Sequence, residues 1–145
     1  MENAVVRRLK PQDTGEITRI SLAITRAHDK TDIERVIAKQ TQSDDDASFV
    51  AVLDNRLVGY CISYVLSGSF GIAKSAWLAM LGVDPKFMGQ GIGEMLAQEV
   101  FTFYKQQGVK DIYTSVRWDS TDLLSFFKTL GFQRSDFINL YKSLD

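Results

Sequence analysis

The chain has 145 residues, of which 45% are hydrophobic and 24% are charged, a balance typical of one globular domain. Its formal net charge of −1 provides no electrostatic attraction to nucleic acid or to an anionic membrane, so we expect neither as a partner. No apolar run approaches the roughly 20 residues that a membrane-spanning helix needs. Residues 1–4 also lack the basic start and apolar stretch of a signal peptide, so the sequence predicts a cytoplasmic protein.

Cysteine and histidine, two reactive residue types, occur only once each in the chain. The one cysteine, Cys61, lies in an apolar stretch and has no partner for an internal disulfide, so we expect a buried structural thiol rather than a nucleophile. The one histidine, His28, is not accompanied by a second histidine or a cysteine at ligand spacing. The sequence therefore predicts no metal site.

Hydrophobic periodicity and turn residues divide the chain into strands and helices. Residues 5–9 form a first strand, and two amphipathic helices follow before residue 41. Strands over 49–53, 57–66 and 75–83 then lead to a helix over 94–107. A strand over 112–116, a helix ending at Gly131, and two short strands at 132–133 and 137–141 complete the chain. The order is β-αα-βββ-α-β-α-ββ, without repeats or linkers, and it predicts a single domain over residues 1–145.

The turn between the strand over 75–83 and the helix over 94–107 carries the most informative motif. Asp84 and Pro85 end the strand, because proline lacks a backbone donor and restricts the residue before it. Glycines at positions 89, 91 and 93 precede the helix, whose first amides have no internal partner and whose dipole is positive at that end. A strand, a glycine turn and a helix start in this order predict a site for a diphosphate.

The spacing separates three kinds of ligand that use such a turn. A nucleotide-hydrolase loop ends in Gly-Lys followed by Ser or Thr, whereas this turn ends in Gly93-Glu94-Met95. The dinucleotide fingerprint requires a third glycine at the position of Glu94. Two interpretations remain: an acyl-coenzyme A turn, or an ordinary strand–helix connection whose glycines only allow tight packing.

The motif resembles the acyl-CoA turn of the GCN5-related N-acetyltransferase (GNAT) family. That turn has the form Arg/Gln-x-x-Gly-x-Gly/Ala after Val-Asp-Pro, and this chain has Met88-Gly89-Gln90-Gly91-Ile92-Gly93 after Val83-Asp84-Pro85. The order of elements is similar to the family fold along essentially the whole chain, and residues 119–132 keep the spacing of its C-terminal helix. The resemblance implies an α/β (α+β) fold with a central mixed, mostly antiparallel sheet flanked by helices.

The resemblance also implies where acetyl-CoA would bind. In the family, two central parallel strands separate, the pantetheine arm lies between them, and the turn amides hold the diphosphate. A backbone amide near Gly82 or Val83 is then the expected donor to the developing oxyanion. Carried over position by position, the cofactor-binding residues are Leu81, Gly82, Val83, Met88, Gly89, Gln90, Gly91, Ile92, Gly93, Glu94, Ser120 and Phe127.

The chain departs from the family at the positions that handle protons. Ser115 stands where relatives have a glutamate, Phe127 stands where they have a tyrosine, and residues 75–83 contain no carboxylate. Met88 also replaces the usual Arg or Gln, and Lys86 is the candidate to restore that contact to phosphate. The general base and acid are therefore unassigned. Candidates are Asp119, Asp122 and Tyr141, with Tyr60, Tyr64 and Tyr113 near the expected cleft.

Each candidate also has a structural interpretation, the aspartates as helix caps and the tyrosines as amphipathic strand residues. The resemblance implies an acyl-CoA-dependent N-acyltransferase that moves acetyl from acetyl-CoA to an amine of a small molecule or a protein by direct attack. It also makes a homodimer an expectation. The alternative is a non-catalytic acyl-CoA-binding or sensor domain of the same fold, which the missing glutamate and tyrosine favour. A purely structural interaction module would leave the glycine turn unexplained.

Overall fold

A computed structural model describes residues 4–24, 30–42, 46–67 and 74–145. Contacts between residues separate the chain into two compact units, Met1–Thr114 and Ser115–Asp145. The expectation of a single domain over residues 1–145 stays a prediction.

Among the described residues, the first unit contains a five-stranded sheet of order β1-β2-β3-β4-β5 and three α-helices. The strands are β1 (Val5–Arg8), β2 (Phe49–Leu53), β3 (Arg56–Ser67), β4 (Lys74–Val83) and β5 (Ile112–Thr114). The helices are α1 (Thr14–Ile24), α2 (Lys30–Thr41) and α3 (Ile92–Gln106), and short 3-10 turns lie at Pro11–Asp13 and Pro85–Phe87. The second unit contains α4 (Thr121–Thr129).

The sheet is mixed and mostly antiparallel, as the family resemblance implies. Neighbouring strands from β1 to β4 pair antiparallel, and β5 pairs parallel to β4. The β2–β3 hairpin turns at Asp54 and Asn55, whose φ values of 52° and 61° are left-handed. Two left-handed residues match the twist of the flanking strands, and Asp and Asn tolerate this conformation. A parallel pair requires a crossover, and α3 supplies it between β4 and β5.

Helices cover both faces of the sheet, because neighbouring residues of a strand point in opposite directions. On β3, Tyr60 belongs to an apolar cluster that α1 and α2 complete. A Cβ added to the preceding Gly59 would lie 3.0 Å from Ile92 Cγ2 and 3.1 Å from Leu96 Cδ1 of α3. Therefore α1 and α2 lie on one face of the sheet, and α3 lies on the other.

The C-terminal residues differ from the prediction. The sequence predicts strands at 132–133 and 137–141, but no strand follows α4 in the fully described segment 130–145. A strand exists through hydrogen bonds to a neighbouring strand, so an apolar pattern alone does not create one. Within the second unit, Asn139 Nδ2 of this segment donates to Ser115 Oγ at 2.8 Å. The strand predicted over 112–116 also ends earlier, at Thr114.

Candidate functional site

Strand β4 is paired along its length on one side but only near its beginning on the other. Toward β3 the pairing extends to Val83. Toward β5 it covers residues 76–78, and the Thr114 hydroxyl donates to Leu78 O at 2.9 Å at the end of this ladder. Within the described part of the chain, residues 79–83 therefore present a free strand edge, whose backbone groups are available to an extended ligand.

A β-bulge coincides with the point where β4 and β5 stop pairing. Ile62 of β3 lies opposite Met80 and Ser63 lies opposite Leu78, so Ala79 has no partner residue on β3. A bulge bends its strand and increases the local twist. The extra residue follows directly after the last β4–β5 pair, so the bend favours separation of the two strands beyond that pair.

Asp84 holds the end of β4, and its side chain is only 3% exposed. Its carboxylate accepts from Lys86 N at 3.0 Å and so caps the turn Pro85–Phe87, while its own N–H donates to Val58 O at 2.8 Å. Arg19 of α1 also donates to this carboxylate, at 3.1 Å. The Lys86 amide lowers the pKa of Asp84, burial opposes this, and Arg19 adds to the lowering. An ion pair therefore ties α1 to the end of β4.

The glycine turn leaves the N-terminus of α3 open. Gly89 and Gly91 have φ values of 81° and 80°, in the left-handed region that favours glycine. Gly91 is the N-cap of α3, and since glycine has no side chain, the N-cap residue makes no capping hydrogen bond. Among the described residues, a Cβ built on either glycine would meet no atom within 4 Å. The first amides of α3 can therefore face an anion without obstruction from the described residues.

Side-chain charge around this turn is sparse and mixed. Lys86 and Glu94 are exposed, and Met88 is 57% exposed. Arg56 is already engaged, because it lies 3.9 Å from the Asp84 carboxylate and over the Phe87 ring at 5.7 Å. Any affinity of the turn for an anion therefore comes mainly from backbone amides and the helix dipole. A phosphate contact from Lys86 stays a prediction.

Gly82 is needed for close packing rather than for a special backbone conformation. Its φ is not positive, and it is the register partner of Tyr60 on β3. A Cβ at position 82 would lie 2.6 Å from Cε1 and 2.8 Å from the hydroxyl oxygen of Tyr60. The phenol therefore lies across Gly82, beside the free edge of β4. Burial raises the pKa of Tyr60, and the nearby Ser21 hydroxyl opposes this, so the phenol stays neutral near pH 7.

The predicted cofactor residues of the second unit belong to α4. Ser120 is the N-cap of this helix, and its side chain makes no capping hydrogen bond. Phe127 is buried, with 6% of its surface exposed, and packs edge-on against Phe126 and Phe132 at 5.3 and 5.1 Å. The Ser120 hydroxyl is thus not used by the helix end, while the Phe127 ring is part of the packing of its unit. The roles of both residues toward acetyl-CoA stay predictions.

In the second unit, the surroundings of the candidate bases and acids do not favour proton transfer. Asp119 forms a two-point ion pair with Arg117, 3.0 Å at each contact, and the hydrogen bond from Arg117 lowers the pKa of Asp119. A carboxylate stabilised in this way is a weak base. Asp122 is exposed in the first turn of α4, and Tyr141 is 90% exposed. Their catalytic roles also stay predictions.

The other reactive groups point to structural roles. Cys61 is fully buried in β3, and burial raises the pKa of its thiol to about 12, so it is not ionised near neutral pH. Tyr113 stacks on Trp77 at 4.9 Å. In the described ranges, no group of three or more His, Cys, Asp or Glu side chains is arranged to hold a metal ion, and His28 lies outside those ranges. None of the described helices is both long and apolar enough to cross a membrane.

The sequence matches the model of the Acetyltransferase (GNAT) family over residues 13–132, and the chain belongs to that family. N-alpha-acetyltransferase 30 of Schizosaccharomyces pombe is 32% identical over 89 residues, which are 60% of this chain and 57% of that protein. An acetyltransferase of Pectobacterium atrosepticum is 30% identical over 78% of this chain and 76% of its own length. The match therefore spans little more than half the length of the yeast relative.

The fold agrees with solved structures of acetyltransferases. The aminoglycoside N-acetyltransferase AAC(6')-Iy, in complex with CoA, has a TM-score of 0.85 to this chain at 16% identity. The likeness covers 100% of this chain and 97% of that one. At this identity the comparison establishes the fold, and it confirms the predicted mixed sheet and the element order as far as α4.

Three features near the free edge of β4 were not anticipated from the sequence: the bulge at Ala79, the Arg19–Asp84 ion pair, and the Tyr60 ring across Gly82. Each one joins residues that are distant in the chain, so local patterns do not reveal it. A glycine inside an apolar strand is the one available signal, because it often marks a close backbone approach.

Proposed function

We propose that this protein is an N-acetyltransferase that uses acetyl-CoA as its acyl donor. The observation that carries the proposal is the free edge of β4 over residues 79–83, which continues through Asp84 into an uncapped glycine turn at the start of α3. An extended pantetheine arm can add to such an edge as a further strand, and the turn amides can hold a diphosphate. Membership of the GNAT family over residues 13–132 supports the same ligand.

Most contacts to acetyl-CoA in this proposal come from the backbone. Leu81, Gly82 and Val83 would bond to the pantetheine arm, and the amides of residues 88–94 would surround the diphosphate. The change from Arg or Gln to Met88 is compatible with binding, because an amide donor does not depend on the side chain. Ser120 and Phe127 would add side-chain contacts.

Transfer would proceed by direct attack. The neutral amine nitrogen attacks the thioester carbonyl carbon, the carbon–sulfur bond breaks, and the sulfur gains a proton while the nitrogen loses one, giving an amide and free CoA. A backbone amide near Gly82 or Val83 would donate to the oxyanion. Phe127 cannot donate a proton, and Asp119 is already paired with Arg117. The rate would therefore depend mainly on positioning of the amine and on the oxyanion donor.

The acceptor would be an amine on a small molecule or a protein. The yeast relative is named as an N-alpha-acetyltransferase and the solved structure as an aminoglycoside N-acetyltransferase, so both acceptor classes belong in the test. The homodimer and the cytoplasmic location expected from the sequence stay predictions.

Calorimetric titration with CoA and acetyl-CoA tests binding. Acetyl-CoA at about 100 times its dissociation constant should add about 2.7 kcal/mol to the free energy of unfolding. Absence of binding at millimolar concentration would overturn the proposal. A thiol-release assay with peptide N-termini, amino sugars and polyamines tests transfer. Release that depends on the amine would support the enzyme, whereas binding without release by any amine would indicate a non-catalytic acyl-CoA-binding domain.

A further inference from the structure

We infer that the Tyr60 ring determines which acyl groups this protein accepts, by closing the site over Gly82 against chains longer than acetyl. The ligand class is the short-chain acyl thioesters of CoA. The inference rests on the proposed function, because it takes Gly82 as part of the acyl-CoA site. The selectivity of the site for acyl chain length would then depend on one aromatic ring.

The first observation is the closeness of Tyr60 to Gly82. The two residues are register partners on β3 and β4. A Cβ at position 82 would lie 2.6 Å from Cε1 and 2.7 Å from Cζ of the ring, closer than side-chain carbons approach one another in proteins. The ring therefore occupies the space that a side chain at position 82 would fill, and an acyl group extending over Gly82 on that face would meet it.

The second observation is the position of this contact on the sheet. Gly82 lies within residues 79–83, the part of β4 that has a free edge toward β5 in the described structure. The Tyr60 ring is on the sheet face that α1 and α2 cover, opposite α3. It therefore borders the free edge on one face and limits the depth available there to a group lying along the edge.

The third observation is that the ring is held in place. Tyr60 is 3% exposed and packs in the apolar cluster with Ile17 and Ile20 of α1. The Ser21 hydroxyl is close enough to affect the Tyr60 phenol, yet Ser21 Oγ is buried and has no hydrogen bond of normal geometry in the described structure. The close packing of the ring against α1 therefore opposes its movement away from Gly82, because displacing a ring from a filled apolar core leaves a cavity.

A fixed ring in a close-packed interior discriminates by size. Acetyl carries a single methyl group beyond the carbonyl carbon, whereas propionyl and butyryl add methylene groups that need further space. One additional methylene in a pocket of fixed size typically changes selectivity by about tenfold or more. We therefore expect acetyl to be preferred over butyryl.

Calorimetric titration of three proteins with CoA, acetyl-CoA and butyryl-CoA tests the inference. Tyr60→Leu removes the ring and opens space over Gly82. Tyr60→Phe is the matched control, because it keeps the ring and removes only the hydroxyl. The wild type and Tyr60→Phe should bind butyryl-CoA at least about tenfold more weakly than acetyl-CoA, and Tyr60→Leu should abolish most of that difference. All three should bind free CoA with similar affinity.

Equal affinity of the wild type for the two thioesters would overturn the inference, even if Tyr60→Leu did not fold. A Tyr60→Leu protein that binds free CoA normally but still discriminates as the wild type does would overturn it as well. In both cases the proposed function would stand, because CoA binds. A wild type that does not bind CoA is a distinct result, which overturns the proposed function and this inference together.

Discussion

Residues up to Thr114 and residues from Ser115 onward bury their apolar side chains very differently. Within the described residues, Phe127 is the one buried apolar side chain of the second unit, whereas the first unit buries a core on both faces of its sheet. The second unit instead exposes large apolar side chains, namely Trp118, Leu123, Leu124, Phe137, Ile138, Leu140, Tyr141 and Leu144.

This difference separates two kinds of candidate site residue. The residues proposed to bind acetyl-CoA in the first unit would do so through backbone groups, whose positions are set by the pairing of β4 with β3 and by the turn before α3. The residues proposed in the second unit would bind it through their side chains, on α4 and at its N-cap. Changes in the first unit should therefore have larger effects on ligand binding and stability than changes in the second.

The largest effect should come from Gly91→Glu. The new carboxylate would lie in the proposed diphosphate site at the open end of α3, where charge repulsion and bulk both oppose binding. We expect CoA affinity to fall by about 100-fold or more, since both the amide contacts and the favourable helix dipole would be obstructed. Calorimetric titration measures this directly.

Gly108→Glu is the matched control for the strain in Gly91→Glu. Gly108 has the same φ of 80°, also has no atom within 4 Å of an added Cβ, and follows the other end of α3. Both variants should lose stability of about 1–2 kcal/mol from the left-handed conformation. Only Gly91→Glu should lose CoA binding. An equal loss of CoA affinity in both variants would show that backbone strain causes the effect and that the glycine turn is not part of the CoA site.

Asp84→Asn should destabilise the first unit by about 1 kcal/mol, because Arg19 loses a charged partner while the amide side chain still caps the turn. The pKa of Asp84 is lowered in the folded protein, so its contribution is present above the unfolded pKa and is lost as pH falls through the folded value. The difference between wild type and variant should therefore be full at pH 7 and shrink below about pH 4.

Urea unfolding at several pH values measures this difference. Asp54→Asn is the control, because it removes the same charge from an exposed hairpin residue whose left-handed φ asparagine tolerates. It should leave stability nearly unchanged at every pH. A difference between Asp84→Asn and wild type that grew as the pH fell would contradict the assigned direction of the pKa shift.

Ser120→Ala tests the second unit with a smaller expected effect. Its hydroxyl makes no capping hydrogen bond in α4, so the helix should lose little stability. If the hydroxyl bonds to the cofactor, CoA affinity should fall about 2- to 10-fold, because this change in affinity corresponds to the free energy of one lost hydrogen bond. Ser125→Ala, on an exposed position of the same helix, is the control. Unchanged affinity in Ser120→Ala would remove this residue from the site.

The smallest effects should come from Asp119→Asn, Asp122→Asn and Tyr141→Phe. Asp119 is paired with Arg117, and the side chains of Asp122 and Tyr141 are exposed. We therefore expect none of them to supply the ~10²–10⁴-fold rate enhancement of a well-positioned general acid or base. We expect kcat/KM of wild type and variants to rise smoothly with pH until the acceptor amine is neutral. A bell-shaped wild-type profile whose acidic limb disappears in one aspartate variant would identify that residue as the base.

The elements that could be predicted from the sequence also differ between the two units. Strands β1 to β5 and helices α1 to α4 were predictable, because apolar periodicity and turn residues reflect which side chains must be buried. The two strands predicted after Gly131 are absent from the described segment, because apolar residues there do not identify a neighbouring strand to pair with. The glycine turn could be predicted because its chemistry is local: glycine allows left-handed φ, and a helix start has free amides.

By itself, the sequence determined the element order as far as α4, the family resemblance and the glycine turn before α3, and it predicts that this turn binds an anion. All of these depend on residues close together in the chain. Only the tertiary structure decided where β4 leaves β5, that Asp84 is tied to Arg19, and that Tyr60 lies across Gly82. These contacts depend on strand register and on the packing of α1 over the sheet. A shift of one residue in register would turn Tyr60 to the opposite face of the sheet, so no local pattern specifies its contact with Gly82.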